Sequence, residues 1–200
     1  MKKAISGTRA CGNKVTDAIA NDGWVVEFSH PKTFQIQKNN LLATLPHLPL
    51  EWQVNFKMMP NKQMTDQQRY GNVLFMTVDG SWETHSGYAT PAVFFDPKMG
   101  LVFGSSVKVK YKLGHYWTSN LKILEKQKNE WTDIKISQEL LKGKFIYKVF
   151  IDGIEVVQRE NERPMPFRNV KVFAGAPSKP VFDGWMKMLS IKVKESVQPE

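Results

Sequence analysis

The chain of 200 residues carries a single cysteine, Cys11, so no disulfide can close within it and no cysteine-based zinc site can assemble. Its core must be held by packing. The four histidines, His30, His47, His85 and His115, stand apart, without the H-x-H or H-E-x-x-H spacing that brings two imidazoles to one metal. Phosphate-cradling loops of the G-x-x-x-x-G-K-[ST] and G-x-G-x-x-G kinds are missing, and so is the G-x-S-x-G nucleophile elbow. There is no Asn-x-Ser/Thr acceptor for N-glycosylation. No run approaches the roughly 18 to 20 apolar residues of a membrane-spanning helix. The opening MKKAISGTRACGNK lacks the apolar core of about 7 to 15 residues found in a secretory leader. The expectation is a soluble chain; a secreted form would have lost its leader.

Acidic residues are also in short supply. Nineteen Asp and Glu stand against 28 Lys and Arg, a formal net charge of +9 that favours anionic partners at low salt. A hydrophobic content of 42% with 12% aromatics is enough for one well-buried core.

What the chain has is alternation. Trp24, Val26 and Phe28 alternate with Val25, Glu27 and Ser29 until His30-Pro31, and Trp52, Val54, Phe56 and Met58 alternate with Gln53, Asn55 and Lys57. Leu41 to Leu45, closed by Pro46 and Pro49, suits an edge or a connection. Further strand-length runs lie at Asn72 to Val78, Ala92 to Phe95, Leu101 to Leu113, Trp131 to Ser137, Asn169 to Ala174 and Trp185 to Lys194. Gly, Pro, Asp or Asn separates them, and no helical repeat intervenes to build a parallel sheet. One helical turn is expected at Ser137 to Lys142, where SQELLK meets Gly143. The fold expected is all-β, an antiparallel two-sheet β-sandwich, with Trp52, Val54, Phe56, Phe145, Tyr147, Val149 and Ile191 inside. Residues 1–21 read as a loosely structured N-terminal segment, 22–195 as a single domain and 196–200 as a tail.

The sharpest local signal is Asp152-Gly153, which follows the alternating Phe145, Tyr147, Val149 and Ile151 and turns the chain into Ile154 to Gln158. Such a pair supplies the two positive φ angles of a tight hairpin turn. The tryptophan-led strand at Trp131 and the hairpin ending in Asp152-Gly153 resemble the C-terminal half of laminin G-like domains, within the concanavalin A-like lectin/glucanase superfamily. That resemblance implies a jelly-roll sandwich over roughly residues 22 to 195 and an extracellular or secreted recognition module; a cytoplasmic protein is the alternative. Relatives on the fold include glycosidases, which need two carboxyl groups about 5 to 9.5 Å apart. The E-x-D-x-x-E cluster of the glucanases does not occur here. The nearest approach, Glu160 and Glu162 between Arg159 and Arg163, reads as a neutralised strand end.

Two segments mix aromatic and polar groups as sugar sites do. DGSWETHSGYATP contributes Trp82, Glu83, His85 and Tyr88, and GHYWTSN, read as a loop, contributes Tyr116, Trp117 and Asn120. Both could equally cap the sandwich. The resemblance also implies calcium in a rim loop, for which Asp79 and Asp96 are the main candidates, with Glu83 and Asp133 suited by residue type; the same acids could be turn formers. Lys108, Lys110 and Lys112 alternate with apolar residues as if on one strand, and Lys192 and Lys194 repeat that arrangement. If those strands are neighbours, they form a basic patch suited to sulfated or carboxylated glycans; otherwise the lysines blunt a sheet edge. No nucleic-acid-binding signature accompanies the charge. The expected function is a non-catalytic carbohydrate-binding or adhesion-type module whose partner is a glycan or glycoprotein, acidic glycans included. A protein-interaction module is the alternative and a glycan-processing enzyme the third reading.

Overall fold

The computed structural model describes residues 23–62, 70–78, 89–109, 112–118 and 130–194, with backbone alone at 106–109 and 112–118. Every regular element among these residues is a β-strand. They are β1 (Val25–His30), β2 (Phe34–Gln35), β3 (Leu41–Leu48), β4 (Glu51–Pro60), β5 (Gly71–Thr77), β6 (Ala92–Asp96) and β7 (Gly100–Val109), followed by β8 (Lys112–Thr118), β9 (Thr132–Leu141), β10 (Lys144–Ile151), β11 (Ile154–Asn161), β12 (Phe167–Phe173) and β13 (Gly184–Lys194). One sheet runs β1-β13-β4-β9-β10-β11, with β2 beside β13; the other runs β3-β12-β5-β6-β7-β8. All ladders between named strands are antiparallel, as the expected sandwich requires.

Alternation decides which side chains lie between the sheets. Trp52, Val54, Phe56 and Met58 of β4 are buried with Ile134 and Ile136 of β9, Tyr147, Val149 and Ile151 of β10, and Leu189 and Ile191 of β13. They join Leu101 and Phe103 of β7 and Val170 and Val172 of β12 in one cluster. Each such side chain contributes about 1.5–3 kcal/mol relative to exposure. Trp52 and Tyr147 meet edge to face at 6.1 Å. Phe145, expected inside, is only half-buried. It pairs with Leu140, which is exposed near the hairpin end, so the opposing sheet does not cover that row.

The structure overturns several local readings. Ser137 to Lys142 is not helical: β9 runs through Leu141, paired with β10 to its end and with β4 as far as Gln138. Six residues are too few to nucleate a helix against that pairing. Lys142 and Gly143, with φ of 50° and 78°, form the tight turn into β10. The Leu101 to Leu113 run is not one strand either. β7 and β8 are a hairpin with Lys108 opposite Leu113 and Val109 opposite Lys112. Moreover β7 and β13 belong to different sheets, so Lys108 and Lys112 cannot share a stripe with Lys192 and Lys194. Pro46 and the edge position of β3 agree with the reading of that segment.

Candidate functional site

The outer face of the β1–β11 sheet carries the polar half of each alternating strand, and antiparallel register sets these residues in rows. Lys187 of β13 lies opposite Lys57 of β4, and Lys57 opposite Asp133 of β9. In the next row Ser190, Asn55, Lys135, Phe150 and Glu155 follow one another across five strands. Beyond it come Lys192, Gln53, Ser137, Lys148 and Gln158. Trp185 lies opposite Met59 at the far end.

Asn55, Asp133, Lys135, Phe150, Asp152 and Gly153 line an open depression of about 590 Å³. One end is the type I′ turn, where Asp152 and Gly153 adopt φ of 49° and 81°. Asp152 Oδ1 accepts the Asp133 N–H at 2.9 Å, and the Asp152 N–H donates to the Asp133 carbonyl at 2.8 Å, so the turn is pinned to β9. Lys57 Nζ is 3.1 Å from Asp133 Oδ2. With both side chains part-exposed, that pair is worth at most about 1 kcal/mol, and the ammonium offsets part of the repulsion that the carboxylate would exert on a ligand anion. The Lys135 ammonium stands 5.5 Å from the Phe150 ring centroid. Gln53 donates from Nε2 to Asn55 Oδ1 at 2.9 Å, which orients the Asn55 amide. The depression therefore combines an apolar ring face, a cation, a carboxylate and an amide. Those groups can bind a polar ring by contact with its C–H face and hydrogen bonds at its rim.

Several of the described carboxylates are engaged in structure. Glu160 pairs with Lys144 at 2.8 Å, holding the Lys144 ammonium above the usual lysine range through the hydrogen bond and the neighbouring charge. Buried Glu51 accepts the Leu140 N–H at 3.0 Å. Asp96 is a turn former: its Oδ1 accepts the N–H groups of Lys98 and Met99 at 2.8 and 3.1 Å, closing the link from β6 to β7. Among the described residues no group of three His, Cys, Asp or Glu side chains gathers to hold a metal. Burial raises the Tyr147 phenol far above its usual range, so it stays protonated between the sheets.

The expected ligand residues Trp82, Glu83, His85, Tyr88 and Asn120 lie outside the described residues, as do Asp79 and Lys110. Tyr116 and Trp117 are not in a loop. Their backbone belongs to β8, paired with Gly104 and Phe103. Asn55, Lys135 and Phe150 escaped the sequence reading because each looks like the solvent side of an amphipathic strand. The signal that could have found them is their shared outward parity next to the Asp152-Gly153 turn.

Neither a family model nor a curated protein matches this chain. Its fold is similar to the botulinum neurotoxin serotype D binding domain, at 13% identity and a TM-score of 0.54 over 92% of this chain and 46% of that one. The binding domain of botulinum neurotoxin DC is similar in two structures. In complex with rat synaptotagmin II it gives 13% identity and a TM-score of 0.51, over 92% of this chain and 47% of that one. In complex with SialylT it gives 11% and 0.50, over 88% and 44%. The chain spans a little under half the length of these structures, and the likeness establishes a shared β-sandwich fold.

Proposed function

We propose that the chain is a non-catalytic recognition module that binds glycans bearing carboxylate or sulfate groups on the outer face of the β1–β11 sheet. The observation that carries this reading is the depression between Asn55, Lys135, Phe150 and the Asp152-Gly153 turn. Phe150 supplies an apolar wall, Asn55 a hydrogen-bonding amide and Lys135 the charge for an acidic substituent. The net charge of +9 adds long-range attraction. Commitment of Asp133 to Lys57, and of Asp152 to the turn, favours binding over glycoside hydrolysis, which needs a free carboxyl pair. The laminin G-like resemblance, an adhesion role and an extracellular location belong to the same reading. The botulinum neurotoxin DC binding domain, similar in fold, has been solved in complex with SialylT and with a protein, rat synaptotagmin II.

A glycan array of neutral, sialylated, uronate-containing and sulfated oligosaccharides tests the proposal, run with calcium and with a chelator. Binding to acidic glycans that is lost in Lys135→Gln and Phe150→Ala supports it, and the chelator arm reports any need for calcium. An array without a ligand, or one whose ligands ignore both substitutions, rejects this site and favours the protein-interaction alternative.

A further inference from the structure

Strand β13, between β1 and β4, contains an irregularity that the depression does not explain. Lys187 lies opposite Lys57 and Ser190 opposite Asn55, so three steps along β13 match two along β4. The extra residue forms a β-bulge in which Met188 adopts φ of 54° and is 55% exposed. A left-handed conformation is unfavourable for a methionine, and such outliers gather where a side chain has been re-aimed. The change here is one of parity. Leu189, Ile191 and Val193 point into the core, and an unbroken alternation would send Lys187 after them. With the bulge, Met186 is buried instead and Lys187 joins Ser190, Lys192 and Lys194 on the outer face.

The result is a lane of ammonium groups. Lys194, Lys192 and Lys187 lie opposite Glu51, Gln53 and Lys57, a stretch of β4 that covers about 20 Å at strand rise. Lys187 Nζ stands 3.9 Å from the centroid of the Trp131 ring, which places an indole at the end of the lane. Among the described residues, none of these three lysines has a carboxylate within ion-pair distance. The Glu51 carboxylate beside Lys194 is buried and accepts the Leu140 N–H.

We propose that this lane holds a linear polyanionic glycan lying along β13, with successive carboxylate or sulfate groups at Lys194, Lys192 and Lys187 and a sugar ring beside Trp131. The inference rests on the acidic-glycan reading of this face and extends it from a single acidic sugar to a repeating chain. Charge complementarity and the length of the lane select that occupant.

The test is titration calorimetry with heparin-derived oligosaccharides of increasing length, using single-stranded DNA of matched charge as comparator. Affinity is expected to rise from the disaccharide until the chain spans about 20 Å, then level off. Lys187→Gln and Lys192→Gln, checked for unchanged melting, should each weaken octasaccharide binding about five- to tenfold. Disaccharide binding in the depression should be unaffected by either. Length-independent affinity with both variants silent overturns the lane and leaves the depression standing. DNA bound as tightly as the octasaccharide overturns it in favour of unselective polyanion attraction. If no oligosaccharide of any length binds, the acidic-glycan reading falls and the lane falls with it.

Discussion

Asp152 is the residue at which the fold and the proposed site can be separated by two substitutions. It holds φ of 49°, and its Oδ1 accepts the Asp133 N–H at 2.9 Å. Alanine keeps neither advantage. A non-glycine residue in the left-handed region costs about 1–2 kcal/mol, a penalty that Asp and Asn reduce through local hydrogen bonding. Loss of the exposed Oδ1 bond removes a further increment of about 0.5–1.5 kcal/mol. The sum for Asp152→Ala is about 2–3 kcal/mol. At about 2–4 °C per kcal/mol for a domain of this size, Tm should fall by roughly 5–10 °C. Asp152→Asn retains the conformation and the acceptor, so its Tm should stay within a degree or two of the parent, corresponding to about 0.5 kcal/mol. Both variants remove one negative charge from the lining, so both should bind acidic oligosaccharides more tightly, by up to about 1 kcal/mol at low salt. Thermal melting followed by circular dichroism and a binding titration on the same samples complete the assay. Equal melting of the Ala and Asn variants would refute the turn argument. Weaker acidic-glycan binding by Asp152→Asn would refute the placement of the anion in the depression.

Gly153 and Gly71 should respond differently to an added methyl. Gly153 has φ of 81° and open space around its Cβ position, so Gly153→Ala should cost only about 1–2 kcal/mol, with Gly153→Asn milder and Gly153→Val worse. At Gly71 a Cβ would meet backbone atoms of Phe182 at 2.6 and 2.7 Å, so Gly71→Ala should cost about 3 kcal/mol or more in denaturant unfolding; equal losses would contradict both assignments. Tyr147 binds its proton more tightly folded than unfolded, so stability is full below about pH 10 and falls as pH rises through the unfolded value, the point where only the unfolded chain releases the proton. Tyr147→Phe should flatten that alkaline decline, and identical pH profiles would dispute the burial of the phenol. Trp82→Ala and Trp117→Ala, compared with Lys135→Gln at low and at about 1 M salt, discriminate between the two candidate sites, because aromatic contact survives screening and lysine attraction does not. Loss of binding in the tryptophan variants alone would move the site from the sheet face to those segments.

The sandwich was legible because its strands advertise themselves locally. β4 and β10 alternate cleanly, and Asp152-Gly153 announces its own turn. The Lys142-Gly143 turn has the same left-handed pair but opens on a lysine, which carries no turn preference, and SQELLK before it has good helix formers. Pairing to β4 and β10 outweighed that preference. The reversal between β7 and β8 was hidden for a related reason: in the sequence Lys108, Lys110 and Lys112 alternate with Val107, Val109, Tyr111 and Leu113, so the period of two continues without a turn signal.

Sheet membership was the harder matter, and the functional face depends on it. Local alternation says that Lys57, Lys135 and Lys187 point outward from their strands, but not that β13, β4 and β9 are consecutive neighbours. Strand order is set by contacts distant in sequence, such as Val54 packing near both Ile191 and Ile136 through its two ladders. The lysines of β7 and those of β13 look equivalent in one dimension; in three they belong to different sheets. One clue was present in the chain. In Trp185 to Lys194 the inward series Leu189, Ile191, Val193 reaches back to Met186 by a step of three, and only a bulge reconciles that step with a strand. The break in period that disturbs the core pattern is what turns Lys187 toward solvent, so the irregular step in the sequence marks the residue that the regular steps would have buried.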